Sequence, residues 1–270
     1  MVATDFSPAA SNAVKYAADM ALSINANLFL LHVYQVSFVY SEIPVALNEE
    51  AERQEVEQAI IQLKEEIIRR TDSKINITSE VRLGAFFQEL KTICDYIKPY
   101  TVVMGSQGTT AAERLLFGGH TVHAMKNLSW PLITVSGDTK FSGIKNIGFA
   151  CDFENVADST PVEEIKTLVH DFHAELQLLN IVNKSVYNPG IVFESGLMQE
   201  MLKDIKHTYH FISNENIEEG IIEFTEKNNI DLLIVLPKRH SLLDEIIGKS
   251  YTKQLVLNSH VPVMALHSQL

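Results

Sequence analysis

Apolar residues along this chain fall into two alternating patterns, short continuous runs and helical stripes. The run 28–33 is almost continuously apolar, as is typical of a buried strand, and residues 75–81, with Ile75, Ile77 and Val81, are predicted to form a further strand. One stripe recurs at three- and four-residue spacing and predicts a helix over residues 48–70: Val56, Ile60, Leu63 and Ile67. Further runs at 1–4, 100–104 and 131–135 predict three more strands. Strands alternating with helices predict a parallel sheet with helices on both faces.

Helix boundaries are marked by capping residues and prolines. Ser7 is the predicted N-cap of the first helix and Pro8 its first helical residue. Another helix carries Phe87, Leu90, Cys94 and Ile97 on one face and is closed by Pro99. Before it, residues 82–84 are predicted to form the exit turn of the third strand, and a short helix is predicted over 122–128.

The whole pattern begins again near Gly143. Asp152-Phe153 repeats Asp5-Phe6 at an offset of 147, and from the third strand onward an offset of 131 places Val81 on Ile212 and Pro131 on Pro262. The difference between the two offsets is assigned to the long-helix region. We therefore predict two tandem α/β domains, residues 1–138 and 143–270, each a five-stranded parallel sheet. Only Met1 precedes the first repeat, from which we expect the natural chain to begin a few residues earlier.

Composition excludes several classes of protein. A formal net charge of −12 argues against a surface that follows nucleic-acid phosphates. No run of 18 apolar residues and no signal peptide is present, so we expect a cytoplasmic protein with no membrane partner. Cys94 and Cys151 are the two cysteines, and both lie in apolar surroundings. They are predicted to be buried free thiols.

Glycines cluster between the predicted strand 100–104 and the predicted helix 122–128. Gly105, Gly108, Gly118 and Gly119 stand at a strand end and a helix start, followed by the hydroxyl of Thr121. Backbone N–H groups point outward at both places and can hold an anion. The alternative is that these glycines only form tight turns.

This arrangement resembles a known family. The spacing Gly-x2-Gly-x9-Gly after a strand is similar to the nucleotide-binding signature of the universal stress proteins, and residues 2–7 resemble that family's first strand with its aspartate. Gly119 stands where the family usually carries Ser or Thr, which leaves one phosphate-side hydroxyl unsupplied. The resemblance implies Rossmann-like domains of the adenine nucleotide alpha hydrolase type. It also implies ATP or AMP in the first domain, with Mg²⁺ as an ion that could accompany ATP.

The resemblance also implies roles for particular residues. Asp5 would meet the adenine or ribose, and Val33 would bond the base through its main chain. The remaining implied contacts are to ribose and phosphates, and the full implied set is Ala3, Thr4, Asp5, Val33, Met104, Gly105, Gly108, Gly118, Gly119, His120 and Thr121. Asp5 has a structural alternative, because an aspartate after a strand can simply tie down a turn.

The second repeat lacks the glycines. At the offset of 131, Leu236 replaces Gly105, Arg239 replaces Gly108, and Lys249 replaces Gly118. Pro237 supplies no backbone donor. A different anion at these basic residues is an open alternative, but we predict that the second domain serves as a structural partner. In the family the terminal strands pair across a dimer, so the two halves are expected to form an intramolecular pseudo-dimer; a homodimer is a further option.

Neither a metal site nor an enzyme motif is predicted. The pairs His170/His173 and His207/His210 have helical spacing, but no cysteine or carboxylate near them in sequence completes a ligand set. No nucleophile elbow, zinc-protease motif or Walker ending occurs, so no catalytic residue is named. Three hypotheses follow: a nucleotide-binding regulatory protein of the stress response, a member of the family that binds no nucleotide, and a slow ATP-hydrolysing enzyme.

Overall fold

The computed structural model describes residues 1–35, 49–106, 120–182, 190–237 and 259–267. Within these ranges ten strands form one sheet in the order β3-β2-β1-β4-β5-β10-β9-β6-β7-β8. The strands are β1 (Val2–Ala3), β2 (Leu28–Tyr34), β3 (Ile77–Leu83), β4 (Val102–Gly105), β5 (Leu132–Val135), β6 (Asn146–Ala150), β7 (Glu175–Val182), β8 (His207–Ser213), β9 (Leu232–Val235) and β10 (Val263–Ala265). The helices are α1 (Pro8–Ser23), α2 (Glu49–Arg70), α3 (Phe86–Ile97), α4 (residues 120–127), α5 (Val156–Ser159), α6 (Val162–Phe172), α7 (Gly190–Met201) and α8 (Ile217–Lys227).

The two halves of the sheet are related by a pseudo-two-fold axis. Within each half the strands are parallel and follow the same order, whereas β5 and β10 pair antiparallel. Ile133 lies opposite Met264 at the centre of that pairing, and these two residues are equivalent at the offset of 131. The predicted tandem α/β fold and the predicted pairing of the terminal strands are therefore confirmed.

Helices cover both faces of the sheet. Ile60 and Ile67 of α2 pack on one face with α1, α6 and α7, in a core that includes Phe149 of β6. Leu90, Met125 and Phe224 pack on the other face, which carries α3, α4 and α8. These side chains are almost completely buried, so each face of the sheet has its own apolar core.

Local sequence explains how α1 begins and ends. The Ser7 hydroxyl accepts a hydrogen bond from the N–H of Ala10 (3.2 Å), and Pro8 is the first helical residue. The helix stops where Asn25 takes a left-handed conformation with φ 53°. Ala26 N–H then bonds back to the carbonyl of Ala21, which closes the last turn. The predicted cap at Ser7 and the predicted first helical residue Pro8 are both confirmed.

Two sequence predictions near the third strand were wrong. β3 runs to Leu83, because Arg82 and Leu83 continue to pair with Val33 and Tyr34 of the longer β2. The strand registers also place Phe211, not Ile212, at the position equivalent to Val81. The offset of 131 is therefore interrupted by one residue between β3 and β4.

The extra residue lies in the turn that precedes α8. Between β8 and α8 stand Asn214, Glu215 and the N-cap Asn216, whereas only Gly84 and Ala85 join β3 to α3. Gly84 has φ 156°, and a Cβ there would lie 2.9 Å from a carboxylate oxygen of Glu89. Glycine thus permits the shorter turn in the first half.

Both cysteines are free and buried, as predicted. Burial raises the pKa of the Cys94 thiol to about 12. Among the helices in the described ranges, none combines the length and hydropathy needed to cross a membrane.

Candidate functional site

The chain reverses its direction of travel across the sheet between β1 and β4. From β1 it moves outward through β2 to β3, and then returns to place β4 on the other side of β1. In open α/β sheets, ligands bind at the carboxyl ends of the strands where this reversal occurs. Most of the residues predicted from sequence to form the site lie at this edge.

β1 is shorter than both of its neighbours, which leaves a notch at that edge. It ends at Ala3 opposite Leu31, while β2 continues to Tyr34 and β4 continues two residues past Val103, which lies opposite Val2. Val33 follows Leu31 by two residues, so its backbone groups face the same side of β2 as the Leu31 carbonyl that accepts from Thr4 N–H. The backbone N–H and C=O of Val33 therefore face the space beyond the end of β1.

The floor of the notch is a tight turn held by side chains. The Thr4 hydroxyl accepts from the N–H of Phe6 (3.0 Å), and the exposed Asp5 carboxylate accepts from the N–H of Ser7 (3.0 Å). Phe6 is left-handed, with φ 64°, a conformation that costs a residue with a Cβ about 1 kcal/mol or more. The alternative role of Asp5 in tying down a turn is therefore present in the structure.

His32 is a buried residue at this edge that the sequence did not single out. Its Nδ1 lies 2.8 Å from the carbonyl oxygen of Thr4, and its ring centroid lies 4.5 Å from that of Phe6. Tyr34 stacks parallel to it at 6.4 Å. A polar aromatic residue inside an otherwise apolar strand was the signal that could have identified it.

Gly105 forms the far wall of the notch, next to the buried Met104 at the end of β4. A Cβ on Gly105 would lie 2.9 Å from the backbone of Ala9 and 3.0 Å from the nitrogen of Ala10. The absence of a side chain therefore lets the first turn of α1 pack against the strand end. This packing by itself explains a glycine at this position.

His120 and Thr121 approach the site from α4. Thr121 is buried and donates its hydroxyl to the carbonyl of Gly105 (3.1 Å), which ties α4 to the end of β4. His120 is exposed, and its ring lies 5.1 Å from that of Phe86. Gly108, Gly118 and Gly119 lie outside the described residues.

The second half has an equivalent turn but a different wall. Cys151, Asp152 and Phe153 follow β6 as Thr4, Asp5 and Phe6 follow β1. Leu236 replaces Gly105 and is partly buried against the core. The helix here is interrupted, with α5 ending at Ser159 and α6 beginning at Val162. A long helix approaching the strand end as closely as α1 does would meet the side chain of Leu236.

Histidine pairs bring no metal site together. His207 and His210 lie on strand β8, where residues three apart face opposite sides, so the helical spacing assumed from sequence was wrong for them. His170 and His173 lie at the end of α6, with ring centroids 6.2 Å apart. Within the described ranges no three His, Cys, Asp or Glu side chains are grouped as a metal ion would require.

Comparisons with known proteins agree with this architecture. The model of the universal stress protein family matches residues 1–136 and again residues 143–267. A universal stress protein of Methanocaldococcus jannaschii is 27% identical over 143 residues, which cover 52% of this chain and 82% of that protein. A crystal structure of a universal stress protein from Archaeoglobus fulgidus has a TM-score of 0.77 at 17% identity, covering 99% of this chain and 97% of that one. A protein of unknown function from Pseudomonas aeruginosa has a TM-score of 0.60 at 9% identity, with 99% and 92% covered.

Proposed function

Because the chain belongs to the universal stress protein family, with two tandem copies of its domain, we propose that it binds ATP or AMP in its first domain and acts as a regulatory binding protein of the stress response. The observation that carries this proposal is the notch beyond the end of β1, between the longer strands β2 and β4. Its position at the reversal point of the sheet is where such folds bind ligands. We take the domains to be residues 1–138 and 143–270, and the protein to be cytoplasmic.

Each wall of the notch suits one part of an adenine nucleotide. The backbone of Val33 supplies a donor and an acceptor to the base, beside Ala3 and Thr4. The Asp5 carboxylate supplies an acceptor to a ribose hydroxyl or an amino group. Met104 and Gly105 stand next to the ribose, and the phosphates extend toward His120, Thr121 and the glycines 108, 118 and 119. Mg²⁺ would accompany ATP there, bound mainly by the phosphate oxygens.

The second domain is proposed to bind no nucleotide in the equivalent notch. Leu236 stands where Gly105 stands, and Pro237 replaces Ser106, whose N–H bonds to the Val135 carbonyl. The wall is therefore occupied by side chains, and the N–H that proline lacks is one that the first half uses within the sheet and not toward a ligand. We expect one nucleotide per chain.

Titration calorimetry with ATP and AMP tests the proposal. Gly108→Val should abolish binding, because a branched side chain fills the space that the phosphates need. Gly137→Val is the matched control, since Gly137 is exposed and a Cβ there meets nothing within 4 Å. Unchanged affinity in Gly108→Val, with normal circular dichroism, would show that the glycines only form turns.

A second pair of variants separates the two roles of Asp5. Asp5→Asn keeps an oxygen to accept from Ser7 N–H but removes the charge, so stability should hold while affinity for ATP falls. Asp152→Asn makes the same change in the second domain and should leave affinity unchanged. Equal affinities in both variants would limit Asp5 to its turn.

Two other hypotheses have their own measurements. Absence of nucleotide after heat release from purified protein, together with no calorimetric signal, would favour a member that binds no nucleotide. Steady formation of ADP or AMP above that of Gly108→Val would favour a slow ATP-hydrolysing enzyme.

A further inference from the structure

A cavity of about 290 Å³ lies between the two halves, far from the notch. It opens on the sheet face that carries α1 and α6. Its floor is apolar, formed by Pro131, Leu168, Met264 and Leu266, and Tyr100 and Glu164 line it as well. Sites for drug-sized molecules span about 300–1,000 Å³, so this cavity, just below that range, suits a smaller molecule.

The pseudo-two-fold axis relates the residues that line the cavity to equivalent residues on its other side. α1 and α6 end in matching turns, in which Ala26 N–H bonds to the Ala21 carbonyl and Ala174 N–H bonds to the Val169 carbonyl. These bonds align the two helices at an offset of 148, so Glu164 is the equivalent of Tyr16. The wall residue Tyr100 is likewise the equivalent of Asp231, at the offset of 131 that relates β4 to β9.

In the first half this place is filled by two aromatic rings. Tyr16 is 3% exposed, and its ring meets that of Phe141 edge-on, with centroids 5.3 Å apart. Phe141 belongs to the linker between the halves, which passes on that side. Burial raises the pKa of Tyr16, and the nearby Asp231 carboxylate raises it further. An aromatic ring is therefore compatible with the packing between α1, α6 and the central strands.

We propose that the cavity on the other side binds a small aromatic molecule, neutral or cationic, in the place that Tyr16 and Phe141 fill by symmetry. The apolar floor contacts the ring. Glu163 and Glu164, on the first turn of α6, place carboxylates beside the cavity and disfavour an anionic ligand. The neighbouring Lys166 already lies 3.3 Å from Asp204 and 3.8 Å from Glu163. This site is separate from the nucleotide notch.

Indole is the probe for the first experiment, on full-length protein labelled with ¹³C at the methionine methyl groups. Met264 lines the cavity, so its methyl resonance should shift saturably as indole is added, owing to the ring current. Met125 is buried in the core on the opposite face and should not shift. Met264→Leu assigns the resonance. A stationary Met264 signal, or equal shifts at Met125, would overturn the proposal.

The second experiment fills the cavity with a larger side chain at position 164. Glu164→Tyr introduces the residue that stands at the equivalent position of the first half, Tyr16. This variant should lose the indole response and have a higher melting temperature. Glu164→Gln removes the charge without filling the space and should still bind indole. Indole binding to a folded Glu164→Tyr variant at the original affinity would contradict the assignment. Should that variant fail to fold, the Met264 titration of the unchanged protein still decides.

Two further measurements test the charge of the ligand and the independence of the cavity from the nucleotide notch. Tryptamine should bind at least as tightly as indole, and indole-3-acetate more weakly; equal binding of the two charged probes would overturn the proposed ligand class. Gly108→Val should bind indole as the unchanged protein does, so loss of nucleotide binding and loss of indole binding are separate results. Displacement of indole by ATP would place indole in the notch and refute a second site.

Discussion

The ends of β1 and β6 have the same hydrogen-bond pattern although their side chains differ. The N–H of Phe6 bonds to the Thr4 hydroxyl, and the N–H of Phe153 bonds to the Cys151 sulfur (3.3 Å). The Thr4 carbonyl is met by His32 and the Cys151 carbonyl by Asn180, each at 2.8 Å. Because two chemically different sets of side chains hold the same turn, this turn is part of the scaffold of both domains.

The aspartates behave in the same way. Asp5 accepts from Ser7 N–H, and Asp152 accepts from Glu154 N–H at 3.1 Å. Phe6 and Phe153 are both left-handed, with φ of 64° and 53°. The two halves therefore share the turn and differ at the wall, where Gly105 faces the start of α1 and Leu236 faces an interrupted helix. The wall is therefore where we expect a difference in ligand binding between the halves to arise.

Separating the halves should produce the largest change. Residues 1–138 alone expose β5, whose four residues are buried in the whole chain. The register centred on Ile133 is the one that a symmetric homodimer requires, so this fragment should dimerise through β5. Light scattering at micromolar concentration measures its mass, and a stable monomer would contradict the prediction.

Replacing Gly105 by leucine, the residue at the equivalent position of the second half, should have the next largest effect. Gly105→Leu forces a side chain against the backbone of Ala9, which is 2.9 Å from the Cβ position. We expect the free energy of unfolding to fall by about 3 kcal/mol, because neither the helix nor the strand end can yield cheaply. Gly137→Leu should change it by less than about 0.5 kcal/mol. Equal stabilities in urea denaturation would mean that α1 shifts freely.

Exchanging the turn residues tests their equivalence. Thr4→Val removes the acceptor of Phe6 N–H and should cost about 1–2 kcal/mol. Thr4→Cys places in the first half the sulfur that serves in the second, and it should cost less than about 1 kcal/mol. Urea denaturation compares the two variants. A cost for Thr4→Cys as large as for Thr4→Val would show that the two turns are not interchangeable.

The smallest predicted effect is a pH dependence of stability that arises at β8 and has no counterpart at β3, the equivalent outer strand of the first half. His210 of β8 packs against Phe224, with ring centroids 4.9 Å apart, and its buried Nε2 finds no hydrogen-bond partner in the described part of the chain. Burial lowers the pKa of His210 below its usual 6.5. The part of the unfolding free energy that depends on neutral His210 is therefore fully present above the usual pKa of 6.5. It is lost as the pH falls below 6.5 and through the lowered pKa of the folded state.

His210→Leu should remove this part of the pH dependence. Between about pH 7.5 and about pH 5.5 the unchanged protein should lose more unfolding free energy than the variant. The equivalent residue of β3 is Glu80, which pairs with Arg82 at 2.6 Å on the surface. Parallel stability curves for the two proteins would show that His210 does not contribute.

Much of the fold could be predicted from the sequence, because the relevant signals are local. In the first half, apolar periodicity located the helices and strands to within two residues, and Ser7, Pro8 and Pro99 marked helix ends through capping and ring geometry. The repeat predicted the tandem architecture, and the family resemblance implied the pairing of the terminal strands. For the site, the family resemblance implied Ala3, Asp5, Val33 and Gly105, and the strand order of the folded chain brings these residues to one edge of the sheet.

Only the tertiary structure decided features that depend on how distant elements meet. The one-residue difference before α8 became visible through the strand registers, since a longer turn leaves the apolar pattern on either side unchanged. The packing role of Gly105 depends on where α1 crosses β4, and the buried His32 is defined by the carbonyl of Thr4, 28 positions away. The cavity depends on the pseudo-two-fold axis between the halves, because one linker passes on one side of that axis and its ring fills one of two equivalent places. Sequence determines each element through neighbouring residues, whereas contacts between elements are determined by the packing of the whole chain.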